Sequence, residues 1–236
     1  MRVALLALAV MPCVAFAAGS TQLDLGAAQG SSYVRLLISL SLLSLVPAAL
    51  IAATSFTRII VTLSFLRHAL GMPETPPNPV LITLAMFLTF FTMGPVLERA
   101  YTEGVAPYLD GKLEAAPAIQ NAVSPLQAFM GQHVRDEDLR SVAGLAHVEL
   151  TAKGADVPLR VLVPAFMLSE LRAAFVAGFM IFLPFLLIDL IVAAILMALG
   201  MMMVPPATIS LPLKVMLFVL IDGWSLLLRA IAGAYA

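Results

Sequence analysis

Cysteine is almost missing: Cys13 is the one Cys in 236 residues. The chain can therefore form no internal disulfide and no cysteine-rich metal cluster. Charge is scarce as well. Only 11% of the residues are Asp, Glu, Lys or Arg, about half the usual share for a soluble domain. The net charge is −1, so no basic field draws nucleic acid, and none is expected as a partner. Catalytic signatures are absent too: there is no G-x-x-x-x-G-K-[ST], no G-x-G-x-x-G, no G-x-S-x-G and no H-E-x-x-H. His68, His133 and His147 are scattered without a ligand spacing. No catalytic residue, metal or cofactor is expected. What the sequence has in excess is apolar residues, at 61% with a mean hydropathy of +1.02. That excess excludes a disordered chain and points to a bilayer.

The charges are unevenly placed. Of 27 charged residues, 17 fall between Glu98 and Arg172, the one stretch that reads as water-soluble. The N-terminus pairs Arg2 with the short apolar run Val3 to Val10 and then Ala15-Phe16-Ala17. This is the pattern of a cleaved signal peptide over residues 1–17, too short to span a membrane. Residues 18–32 read as a flexible Gly, Ser and Ala linker. The expected organisation continues with a first helical hairpin over 33–97, a helical periplasmic segment over 98–163, and a second hairpin over 164–236.

Leu36 to Ala53 carries no charge and Val80 to Leu97 forms a second span, with Thr83, Thr89 and Thr92 bonding their own helix. Between them, Thr57 or a neighbour caps a helix that stops at Gly71-Met72-Pro73, and the run from Glu74 to Pro79 makes a rigid turn. In the soluble stretch, Leu126, Phe129 and Met130 recur at helical spacing. Asp136, Glu137 and Asp138 open another helix, running to about Leu150, where acids suit the dipole. Ala173 to Gly200 has Asp189 as its only charge, and Lys214 to about Tyr235 reads as one long helix. With the signal removed, four spans place both termini outside and put Arg58, Arg67 and Lys214 inside, as the positive-inside rule prefers.

A charge near mid-span costs roughly 2.5–3.5 kcal/mol, so Asp189 is not expected to face lipid. About 15 residues separate Asp189 from the turn at Val204-Pro205 and about 17 separate that turn from Asp222, so both carboxylates reach roughly 25 Å from it. Two carboxylates at one depth repel unless a proton or cation lies between them. Lys214, Arg229 or Arg172 of a neighbouring chain are the available cations. Three readings stand at this point: a structural ion pair, a proton or ion path, and an intramembrane aspartyl protease. The 13 methionines include the consecutive Met201, Met202 and Met203. They read either as core filler or as a deformable seal that adapts to varied passing side chains.

Several long motifs carry a resemblance. Pro164-Ala165-Phe166-Met167-Leu168-Ser169-Glu170-Leu171-Arg172-Ala173-Ala174-Phe175 closely resembles one signature of the FliP family, and Pro184-Phe185-Leu186-Leu187-Ile188-Asp189-Leu190 resembles the other. The runs Leu199 to Pro206 and Thr54 to Ile60, and Asp222-Gly223-Trp224, are similar to that family as well. The likeness covers Ser32 to Ala230 and is weakest over Lys112 to Val157. It implies an all-α integral membrane protein of long kinked hairpins with a small helical periplasmic insertion, assembled into a helical oligomeric funnel. It also implies a core subunit of the flagellar type III export gate in the bacterial inner membrane. The implied partners are further copies of the chain, FliQ, FliR, other export-apparatus proteins, lipid and the unfolded flagellar polypeptides in transit. Met201, Met202 and Met203 would then form the pore gasket. Glu170, Arg172, Asp189, Lys214 and Asp222 would be buried or intersubunit charges that fix register. An injectisome export gate is the related alternative, and an ion-coupled transporter is the alternative of another class.

Overall fold

A computed structural model of the chain describes residues 47–148, 157–201 and 203–235, together with Leu37, Leu40, Ser41 and Ser44. The expected signal peptide and linker, the loop at 153–156 and Met202 lie outside the described residues. The chain divides into two compact units, Met1–Ala49 and Leu50–Ala236. In the first, the described residues are helical, and Ser44 Oγ donates to the Ser41 carbonyl.

The described residues of the second unit contain helix and turn but no strand. The helices are α1 (Phe56–Ala69), α2 (Asn78–Ala100), α3 (Ala106–Leu109), α4 (Ala115–His133), α5 (Asp136–Leu145), α6 (Leu159–Ala198), α7 (Ala207–Leu220) and α8 (Gly223–Gly233). A π-helical turn, Tyr101–Val105, joins α2 to α3. Among the described residues, two helical stretches are long and apolar enough to cross a membrane, Asn78–Leu109 and Leu159–Ala198, or up to four if each of two bent helix pairs counts as one span. The described residues are therefore all-helical apart from turns and loops, with membrane-type helices.

α1 buries Ile59, Thr62, Leu63, Leu66 and Ala69, one stripe at helical spacing. That stripe packs against α6 and α2. Of the expected candidates, Thr57 or a neighbour, the neighbour Ser55 takes the cap position, without a side-chain capping bond. Thr57 Oγ1 donates instead to the Ile51 carbonyl at 2.9 Å. Ser55 is fully buried and its Oγ lies 2.7 Å from Thr92 Oγ1, tying the start of α1 to α2. The helix stops as its sequence requires: Gly71 takes φ +78°, and the amides of Gly71 and Met72 bond the carbonyls of His68 and Arg67. In α2, Thr83, Thr89 and Thr92 do bond their own helix carbonyls, so Thr83 and Thr89 are satisfied without a partner helix, while Thr92 also meets Ser55.

Two cores result. One gathers Ile59, Leu63, Leu66, Leu81, Phe185, Phe218 and Leu227 from α1, α2, α6, α7 and α8. The other gathers Met93, Phe129, Met130, Leu139, Val161, Leu162 and Phe166 from α2, α4, α5 and the start of α6. The polar stretch thus contributes an apolar face of its own, and Phe129 and Met130 are buried in it. At the π turn, a Cβ on Gly104 would lie 2.6 Å from the Ala122 amide nitrogen and 2.7 Å from the Ala118 carbonyl oxygen. Only glycine permits that approach of the turn to α4.

α6 has 40 residues with Pro164 and Pro184 inside it. At 1.5 Å per residue it is about 60 Å long, twice the roughly 30 Å hydrocarbon core. The sequence reading of one helix from Lys214 to Tyr235 is corrected: α7 ends at Leu220, α8 starts at Gly223, and the pair is bent by 64°. Asp222 sits at the corner in a left-handed conformation, φ 49° and ψ 55°. The Asp-Gly pair is a turn signal. Gly223 is also required sterically, because a Cβ there would lie 2.2 Å from the Phe218 ring.

Candidate functional site

The charged residues of the α6 signature make two adjoining clusters. Glu170 is fully buried. Arg58 Nη2 donates to Glu170 Oε1 at 2.6 Å, and the Tyr235 hydroxyl donates to Glu170 Oε2. The Arg58 guanidinium also lies over the Tyr235 ring, 4.6 Å from its centroid. Phe129 stacks on the same ring at 5.9 Å and His133 lies 5.3 Å away. Burial, and then the neighbouring Glu170 charge, push the Tyr235 phenol well above its ordinary range. It therefore stays a neutral donor. Both carboxylate oxygens of Glu170 have a partner, as a buried charge requires.

At the preceding residue, Ser169 Oγ accepts from the Arg135 amide at 3.1 Å and donates to Asp138 Oδ2 at 2.8 Å. Arg172 reaches Asp138 Oδ1 at 3.5 Å and Glu137 Oε2 at 3.3 Å. Asp138 is buried, whereas Glu137 and Arg172 are exposed. The acids expected to serve the α5 dipole thus also fasten α5 to α6. Sequence reasoning missed Ser169 and Asp138. The signal was the polar run Ser169-Glu170 and Arg172 inside an apolar helix, which predicts an enclosed polar partner on a facing element.

The charges further along are arranged differently from the expectation of two facing carboxylates. Lys214 Nζ donates to Asp189 Oδ2 at 2.6 Å, with the Lys214 side chain buried and that of Asp189 39% exposed. Asp222 sits at the exposed α7–α8 corner and makes no ion pair among the described residues, and Arg229 is not its partner. The break at Asp222 removes the straight helix on which a pairing with Arg229 rested. A cavity of about 410 Å³ lies beside the Asp189–Lys214 pair, lined also by His68 and Ser210.

The methionine run occupies the α6–α7 turn. Gly200 takes φ +76°. Its amide bonds the Met197 carbonyl at 3.1 Å and the Met201 amide bonds the Leu196 carbonyl at 2.9 Å. This left-handed glycine cap satisfies the last α6 carbonyls and turns the chain at Met201. Met203 is 97% exposed and Met201 43% exposed. Among the described residues, no group of three or more His, Cys, Asp or Glu is placed to hold a metal ion.

The FliP family profile matches residues 39–231, which contain every one of these features except Tyr235. The chain belongs to the FliP family. It is 52% identical over 202 residues to the flagellar biosynthetic protein FliP of Pectobacterium carotovorum subsp. carotovorum, covering 86% of this chain and 78% of that one. It is 46% identical to the protein of the same name from Caulobacter vibrioides, over 98% of this chain and 86% of the relative. The Bacillus subtilis protein is 46% identical over 87% of this chain and 93% of its own length. FliP-family membership and the long apolar helices make this chain a membrane-embedded component of flagellar biosynthesis.

Proposed function

We propose that this FliP-family chain is a passive, protein-conducting subunit of the flagellar export gate in the bacterial inner membrane. In this reading several copies assemble with FliQ-like and FliR-like partners into a helical funnel, and unfolded flagellar polypeptides pass along its axis. The observation that carries the proposal is the α6–α7 tip. A glycine cap presents methionines at the end of two apolar helices, and Met203 is almost wholly exposed in the single chain. A flexible thioether is unspecific toward apolar partners. A ring of them can close against ions and still yield to different side chains.

Met201, Met202 and Met203 form the seal in this account. Glu170 and Arg172 hold the subunit's own shape, the Asp189–Lys214 pair fixes α7 on α6, and Asp222 at the corner is left for a neighbouring subunit. The names of the relatives favour the flagellar branch over the injectisome. Replacing the three methionines by alanine in the reconstituted complex is expected to raise ion conductance with assembly intact. Unchanged conductance would overturn the seal. A second reading, ion-coupled transport, draws on the cavity beside Asp189 and Lys214. It requires Asp189→Asn to stop transport while assembly stays normal, whereas failure of assembly would support the structural ion pair.

A further inference from the structure

A second cavity, about 180 Å³, opens between α1, the turn that follows it, α7 and the start of α8. Its walls are apolar, with Leu63, Leu66, Met72, Leu81, Phe218 and Trp224 among them, and Arg67 is the one charged residue on the lining. Arg67 Nη1 donates to the Pro76 carbonyl at 3.2 Å and to Asn78 Oδ1 at 2.6 Å. Both acceptors are neutral, so they hold the guanidinium in place without cancelling its charge. Arg67 Nε is buried and has no hydrogen-bond partner. No carboxylate pairs with Arg67 among the described residues. Glu74, the acid of the adjoining turn, is exposed and makes no ion pair with it.

The position matters as much as the charge. Asn78 is the first residue of α2, the start of a long apolar stretch able to span a membrane. With α2 spanning from its first turn, the guanidinium would lie at the level where the span meets the headgroups. Trp224, half-exposed on the rim with its ring edge-on to Phe218 at 5.4 Å, is a residue type enriched at that level. An apolar groove, an interfacial indole and an uncompensated cation at one end match one molecule: acyl chain along the groove, phosphate on the guanidinium. A zwitterionic headgroup brings its own cation and leaves the Arg67 charge uncompensated.

We infer that the groove beneath Arg67 and Trp224 is a binding site for one anionic phospholipid, with its phosphate on Arg67 and an acyl chain against Leu66, Leu81 and Phe218. The inference rests on the membrane placement of α2 and not on the export-gate reading, so either can fail alone.

Trp224 is the one Trp in the sequence, which makes it a reporter inside the groove. The full chain is reconstituted in phosphatidylcholine vesicles and titrated with brominated phosphatidylglycerol or brominated phosphatidylcholine. Half-maximal quenching of Trp224 is expected at a mole fraction about five-fold lower for the anionic lipid, the ratio that one Arg near the surface gives. The preference should vanish in Arg67→Gln, survive in Arg67→Lys, and shrink for the wild-type chain as salt rises. The salt series decides the matter if Arg67→Gln does not fold. Soluble glycerol phosphate should not relieve the quenching. Equal quenching by both lipids would overturn the inference, as would relief by glycerol phosphate, which marks a site for a free phosphate ester. Absence of quenching by either would also overturn it, because the groove is then closed to lipid and filled by protein.

Discussion

Between Leu159 and Gly178, eight residues of α6 are buried; between Phe179 and Ala198 only three are, Phe185, Val192 and Leu196. The first half is wrapped by α1, α4 and α5 and carries Glu170, whose charge is answered inside the chain. The second half is the more apolar of the two. It leaves Phe179, Met180, Leu187, Leu190, Ile191 and Met197 exposed and ends at the methionine turn. One helix thus joins a better-buried half, which still exposes Met167, Leu168, Phe175 and Val176, to an arm with far less cover. A face of that size on a lone soluble domain would be an aggregation hazard. In a membrane, lipid covers such a face, and in the proposed export gate neighbouring subunits do.

The largest test of the contrast lies at the centre of the first half. Glu170→Gln leaves the Arg58 guanidinium enclosed without its counter-charge. The expected loss is about 3–5 kcal/mol, visible as a lower denaturation midpoint of the detergent-solubilised chain. Next comes a matched pair on one helix. Leu162 is fully buried, so Leu162→Ala should destabilise the chain by about 2–5 kcal/mol. Leu187 is 54% exposed, so Leu187→Ala should change the chain's own stability by about 0.5 kcal/mol or less. Its effect should instead be on recovery of the assembled complex. Equal losses at the two positions would erase the distinction between the halves.

Smaller effects sharpen the picture of the first half. Gly104→Ala pushes a methyl against the backbone of α4 on two sides. The expected cost is about 1–3 kcal/mol. Gly94→Ala meets nothing within 4 Å and should gain about 0.5–1 kcal/mol from helix propensity, so the two glycines should shift the thermal midpoint in opposite directions. The mildest change is alkaline. The folded-state pKa of Tyr235 is raised, so its contribution is full below the ordinary tyrosine value of about 10 and declines as the pH climbs above it. Parent and Tyr235→Phe should therefore differ in stability by a constant amount below about pH 10 and converge above it, as read by unfolding curves across that range.

Much of this was legible in the residues. Periodicity gave the helices, Gly71 and Gly200 gave two helix ends, and the family signatures marked Glu170, Arg172 and Asp189. The break at Asp222-Gly223 went unread because apolar periodicity runs straight through it, and the local turn signal is only two residues long. Lys214 was legible as one of the cations that could answer Asp189, and it is the partner; that Asp222 stays outside the pair was not legible, because spacing alone set both carboxylates at one depth. The Glu170–Arg58–Tyr235 cluster joins residues 112 and 65 positions apart. Spacing along a chain carries no information about contacts of that range.

The central claim is that the arm's tip lies on the path of the exported polypeptide. A photoreactive amino acid placed at Met203 in the arm, and in parallel at Leu145 at the end of α5, compares two exposed positions, 97% and 83% accessible in the single chain. With a flagellar substrate stalled in the complete export apparatus, the account predicts a crosslink to that substrate from Met203 and none from Leu145. A crosslink from Leu145 with none from Met203 would contradict it.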